Sequence, residues 1–135
     1  MSKRKIGVVS CSGEYCVEGT ISRIATRFVL EKFRPDSTVT ICLPLFSIGE
    51  QGERMFAKLF PTIAVEGCEK RCAGHAIEKY REKAVCSIVV SDLLKKWGVK
   101  NAGTRRGLND AGKEAASKVA EEIAAVMNEI SARGR

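Results

Sequence analysis

Short apolar runs alternate with helical stripes along most of the chain. Ile6-Gly-Val-Val-Ser10 is a run suited to a strand buried on both faces. From Thr20, apolar residues fall at Ile21, Ile24, Ala25 and Phe28, one face of a helix. Arg34-Pro35 ends it, because proline disfavours helical backbone at the residue before it. Thr38-Val-Thr-Ile-Cys42 is β-branched and predicts a second strand. Ser47 and Glu50 resemble a capping box for a helix over about 50–60, with Met55, Phe56 and Leu59 inward and Pro61 at its end. Thr62-Ile-Ala-Val65 is a third strand, broken by Gly67. A helix over Glu69 to Tyr80 would turn Ala73, Ala76, Ile77 and Tyr80 to one side.

Ala84 to Val90 is a fourth strand. Ser91 can cap a short helix over Asp92 to Trp97, which Gly98 ends in the left-handed conformation. Residues 99–108 read as a loop. Asn109 caps a last helix whose stripe is Val119, Ile123, Val126, Met127 and Ile130. Strand and helix alternate, which predicts an α/β fold. The expected architecture is a single three-layer domain over residues 1–135, with a mostly four-stranded parallel sheet, helices on both faces and a long C-terminal helix.

This topology turns cysteine positions into geometry. Of six cysteines, Cys11, Cys42 and Cys68 lie at or just past the ends of strands one, two and three. That is the carboxyl edge, where open α/β sheets place their ligands. Cys16 shares a loop with Cys11, and Cys72 is four residues beyond Cys68. On a helix, positions four apart share a face. Cys86, early in strand four, belongs at the opposite edge as a buried structural thiol.

Four readings follow for the rim cysteines. They are a metal site with Cys11, Cys16, Cys68 and Cys72 as ligands, a dithiol or sulfur-handling site, an iron–sulfur cluster, or unconnected core thiols. The C-x4-C and C-x3-C spacings supply four sulfurs, although familiar zinc ribbons use C-x2-C pairs. Cys42 could replace one ligand or stand as an additional thiol. His75, the only histidine, fits a solvated or packed helix position better than a ligand position.

Composition narrows the rest. Net charge is +7, but aromatics make up only 6% and no nucleic-acid-reading motif is present, so the charge reads as a solvated basic surface. Part of it sits at Lys3, Arg4, Lys5, Arg133 and Arg135. No stretch approaches the roughly 20 apolar residues of a membrane helix. Without an export signal the chain is expected in the cytoplasm, where clustered cysteines more often bind metal or do redox work than form disulfides.

Gly13 to Thr20 occupies the place of a phosphate loop, but its glycines are too far apart, the lysine is missing, and Glu14 and Glu18 would repel phosphate. No thioredoxin C-x-x-C occurs, and one histidine in a helix supports no catalytic triad. Thr104-Arg-Arg-Gly107 could hold an anion, but reads more simply as a basic loop.

The stretches "SCSGEYCVEGTISRIATR", "ICLPLF", "FPTIAVEGCEKRCA" and "SIVVSDLL" together resemble the DGC-domain proteins, a zinc-binding family of bacteria and archaea. The family's Asp-Gly-Cys motif appears here as Glu66-Gly67-Cys68, which keeps a carboxylate and lengthens it. The resemblance covers about residues 5–96 and leaves 97–135 outside. It implies zinc held by Cys11, Cys16, Cys68 and Cys72, and implies no particular reaction. Were the site open, Glu66 and Glu14 would be the nearest acid–base candidates. A protein partner or a homodimer docked through the last helix stays open, as does thiol-based sulfur or methyl transfer.

Overall fold

The computed structural model describes residues 5–79 and 83–133. Lys3, Arg4, Tyr80 and Arg135, named above, lie outside them. Four parallel strands form the sheet: β1 (Ile6–Ser10), β2 (Thr38–Val39), β3 (Thr62–Glu66) and β4 (Cys86–Val89), in the order β2-β1-β3-β4. Register pairs Ser10 with Val65 and Glu66 with Val89.

Period-two alternation sorts the side chains between two layers. Ile6, Val8, Ile63, Val65 and Ile88 face a core closed by α1 (Val17–Phe28), α6 (Val90–Trp97) and α7 (Asp110–Arg133). Val9 and Ala64 face the other side, where Phe46, Phe56, Ala73 and Ile77 cover them. These come from α2 (Leu43–Ser47), α4 (Phe56–Leu59) and α5 (Cys72–Lys79), with α3 (Gln51–Arg54) between the first two. Helices therefore cover both faces, as the alternating pattern predicts. Gly7 is required on the second face: a methyl there would stand 2.6 Å from the Phe56 ring.

Several elements depart from expectation. The second strand is two residues long, so Cys42 lies beyond it as the cap of α2. The single helix over 50–60 is instead two helical turns, α3 and α4. Glu50, not Ser47, caps α3, its carboxylate accepting the Glu53 N–H at 2.9 Å. Phe56 points inward, but Met55 and Leu59 are exposed. Residues 103–108 are not a bare loop. Antiparallel β5 (Gly103–Thr104) and β6 (Gly107–Leu108) make a small hairpin.

The fourth strand ends one residue early, and α6 starts at Val90 with Val89 before it rather than with Ser91 as its cap. Gly98 ends α6 at φ 72°. Asn109 accepts the Gly112 N–H at 2.8 Å, the expected start of the last helix. Val119, Ile123, Met127 and Ile130 are buried along α7, and Val126 packs at the edge of the same core. At its carboxyl end α1 widens into a π-helical turn, Val29–Phe33, which ends before Pro35.

Candidate metal centre

The strand order reverses direction between β1 and β3, the point where open α/β sheets place their ligands. The β1–α1 loop carries Cys11 and Cys16. The β3–α5 corner carries Cys68, and Cys72 opens α5. Cys68 is not on the helix. Arg71, at φ 53°, holds left-handed backbone between the turn at 67–70 and α5. The two thiols of this corner therefore come from a turn and a helix start, not from one helical face.

Two glycines bring the loops into backbone contact. A methyl on Gly67 would stand 2.6 Å from Gly19 Cα and 2.7 Å from Gly19 N. One on Gly19 would stand 3.0 Å from Cys11 Sγ. With no side chain at either position, the β3–α5 corner lies directly on the first turn of α1. Cys11 extends the β1–β3 ladder through its N–H to Val65 O at 3.1 Å, and its sulfur accepts the Gly13 N–H at 3.3 Å. Gly13 makes that turn at φ 87°. Cys16 caps α1, its carbonyl accepting from Gly19 and Thr20.

The thiols feel one another. Burial, chiefly, together with nearby Glu18 and Cys68, pushes Cys16 up from 9.0 to about 11, against the Gly19 N–H, which lowers it. Burial also pushes Cys72 up, with the neighbouring Cys11 and Cys68 adding to it. These influences link the four sulfurs as Cys16–Cys68–Cys72–Cys11. Among the described residues, no group of three or more His, Cys, Asp or Glu side chains already stands in metal-holding geometry. The donor set itself, four thiols on two adjoining loops, has the chemistry of a tetrahedral thiolate site.

Glu66 is fully buried behind the corner. Its Oε1 accepts from Ala73 N at 3.1 Å and its Oε2 from Gly74 N at 2.9 Å. Burial raises its pKa, while the two N–H donors, Arg71 and His75 oppose the rise. A methyl on Gly74 would lie 2.7 Å from Oε2, so the long carboxylate has room only because residue 74 is glycine. Glu66 thus anchors α5 and orients Cys72. Glu14 is exposed, and its carbonyl accepts from Arg105 Nη1 at 2.9 Å.

Three supports of the site went unread in the sequence. Thr20 is buried, with its hydroxyl 2.9 Å from Gly13 O and 2.8 Å from Arg105 O. A hydroxyl has one proton, so it donates to one carbonyl at a time. Together with the Arg105 contact to Glu14, this fastens the β5–β6 hairpin onto the cysteine loop. Across the two loops, Lys70 Nζ lies 5.3 Å from the centre of the Tyr15 ring. The Gly19–Gly67 contact is the third. Its only signal was a pair of glycines, one in each cysteine segment.

Cys42 is exposed and its N–H donates to Glu53 Oε2 at 3.1 Å. His75 is exposed beside Glu78, 3.7 Å away. Cys86 opens β4 at the far edge of the sheet as expected but is half-buried rather than buried, packed against the rim of the core, and this partial burial raises its pKa. Arg105 and Arg106 are exposed at the hairpin tip.

A four-stranded parallel α/β sheet whose two adjoining carboxyl-edge segments carry four cysteines defines the class. The DGC domain family matches residues 7–130, and the chain belongs to that family. The match runs past residue 96 and takes in the hairpin and most of α7. No curated protein and no solved structure matches.

Proposed function

We infer that this is a zinc-binding protein whose ligands are Cys11, Cys16, Cys68 and Cys72. The observation that carries the reading is the backbone contact between Gly19 and Gly67, which packs two two-cysteine loops together at the carboxyl edge of the sheet. Four thiolates around one zinc make a closed site, so the metal acts first as a cross-link between the loops. An iron–sulfur cluster would use the same sulfurs. Six unpaired cysteines suit a reducing, cytoplasmic compartment. Among the described residues, no helix is long and apolar enough to cross a membrane.

Sulfur or methyl transfer by the bare thiols is the weaker reading. The raised pKa values of Cys16 and Cys72 count against these two as nucleophiles.

The test is metal and thiol content of protein purified without added metal. The expected result is one zinc per chain, with Cys42 and Cys86 the thiols that react and the other four released by a chelator. Cys68→Ser should abolish most zinc binding, because Cys68 neighbours both Cys16 and Cys72. Cys86→Ser should leave it intact. Six reactive thiols and no metal would overturn the reading, and a brown protein would replace zinc with an iron–sulfur cluster.

A further inference from the structure

A cleft of about 290 Å³ opens on the second face of the sheet, between α5 and edge strand β4. On the α5 side lie Gly74, His75 and Glu78, which share one helical face, and Arg71, which stands just before the helix in left-handed backbone. Ala73 and Ile77, on the adjacent face, are buried in the core. Lys83, Ala84 and Ser87 form the opposite wall. Ser87 turns to this side because its neighbour Ile88 belongs to the other core. No cysteine lines the cleft, so it is separate from the thiol cluster.

Among the described residues the lining is polar, with Arg71 and Lys83 beside one exposed carboxylate, Glu78, and His75 as a further donor. The buried Glu66 carboxylate behind Gly74 also feels Arg71 and His75, and the amides of Ala73 and Gly74 take up part of its charge. The amides of Ala73 and Gly74 are already held by Glu66, so the helix start has none of these to offer and a ligand would be held by side chains. Arg71 is the only non-glycine described residue with positive φ. Such backbone is strained for a side-chain-bearing residue and is retained where the surroundings over-determine it. It sets the guanidinium at the end of the α5 side nearest the cysteine corner.

We propose that this cleft binds a small phosphate group, as inorganic phosphate or a phosphate monoester, through Arg71, Lys83, His75 and Ser87. A guanidinium fork, an ammonium and a hydroxyl suit the several oxygens of one dianion. The volume lies at the small end of ligand clefts, so a compact ligand fits and a nucleic acid does not.

The experiment is a titration of the purified full chain with inorganic phosphate at constant ionic strength, followed by backbone amide NMR. Saturable shifts are expected at Gly74, His75 and Ser87. Arg71→Asn removes the guanidinium while tolerating left-handed backbone, so it should fold normally and bind phosphate about tenfold more weakly. Lys83→Gln should act in the same direction. A parallel titration with malonate separates a phosphate site from a dicarboxylate site. Unsaturable shifts, tighter binding of malonate, or less than threefold weakening in Arg71→Asn would overturn the proposal. The assay needs no zinc, so its failure leaves the metal reading untouched.

Discussion

The Gly67→Ala variant tests whether loop contact makes the metal site. The added methyl would lie 2.6 Å from Gly19 Cα, 2.7 Å from Gly19 N and 3.1 Å from the Glu18 carbonyl carbon. Carbon atoms rest at about 3.5–4.0 Å, so the corner must retreat by about 1 Å. All three neighbours are backbone, and no flexible side chain can swing aside. Gly67 is not in left-handed backbone, so the cost is purely steric. Overpacking of this kind costs about 1–3 kcal/mol. At about 4 °C per kcal/mol for a domain of this size, Tm should fall by about 4–12 °C. Zinc–sulfur distances tolerate only about 0.2 Å, so a retreat of that size pulls Cys68 out of reach of Cys16. Zinc affinity should drop at least tenfold, about 1.4 kcal/mol, in competition with a chromophoric chelator. Gly107→Ala is the control. Nothing lies within 4 Å of its new methyl, so both readouts should stay unchanged. A Gly67→Ala protein that binds one zinc within twofold of the parent affinity would refute the reasoning.

Three further outcomes can be measured. Zinc should displace protons from its ligand thiols, because metal binds the thiolate whereas a free thiol is protonated at neutral pH, and the raised pKa values of Cys16 and Cys72 strengthen the effect there. Apparent affinity should therefore rise with pH, by up to about four decades per unit for four thiols. Calorimetry in buffers of different ionisation enthalpy reads the proton count, and a count near two would remove half the proposed ligands. In the metal-free protein the sign is opposite. A folded pKa raised to about 11 gives stability that is complete below pH 9 and lost as pH rises toward 11, which thermal melts would register. Thr20→Val keeps shape but removes the hydroxyl that Gly13 O and Arg105 O share, at a cost of about 1–3 kcal/mol. Proteolysis within 103–108 should then quicken, and an unchanged digestion pattern would show that the hairpin is held by other contacts.

Much of this arrangement was legible in the residues, because burial on two faces writes itself into apolar runs. Ile6 to Ser10 and Thr62 to Val65 could be read as inner strands, and once they were parallel neighbours, their following cysteines had to share an edge. What escaped was structure too short for a period to show. Two-residue strands at 103–104 and 107–108 contain no alternation, and four-residue helices at 51–54 and 56–59 contain one turn each. The helical pairing of Cys68 and Cys72 failed for a local reason. Nothing in the arginine at position 71 signals left-handed backbone, yet that residue separates turn from helix. The Gly19–Gly67 contact was hidden differently, since it joins segments distant in sequence whose only mark is the absence of side chains.

The core also decides what metal removal should do. Small zinc domains unfold without metal because they lack another source of stability. Here Ile6, Val8, Ile21, Ile63, Val65, Ile123 and Met127 are buried in one cluster, and Val9, Phe46, Phe56 and Ile77 in a second, and none touches the proposed zinc as a ligand. β1 and β3 are already joined by four registered pairs, so a bound zinc would tighten loops whose strands are fixed by the sheet. Chelation should therefore leave the far-ultraviolet circular dichroism near that of the zinc-bound chain. Free zinc at a hundredfold its Kd contributes about 2.7 kcal/mol, so stripping it should lower Tm by about 10 °C rather than abolish the transition. A chain that loses its cooperative transition on chelation would mean that the two cores do not hold the sheet unaided, and that the zinc stabilises the fold itself and not only its carboxyl rim.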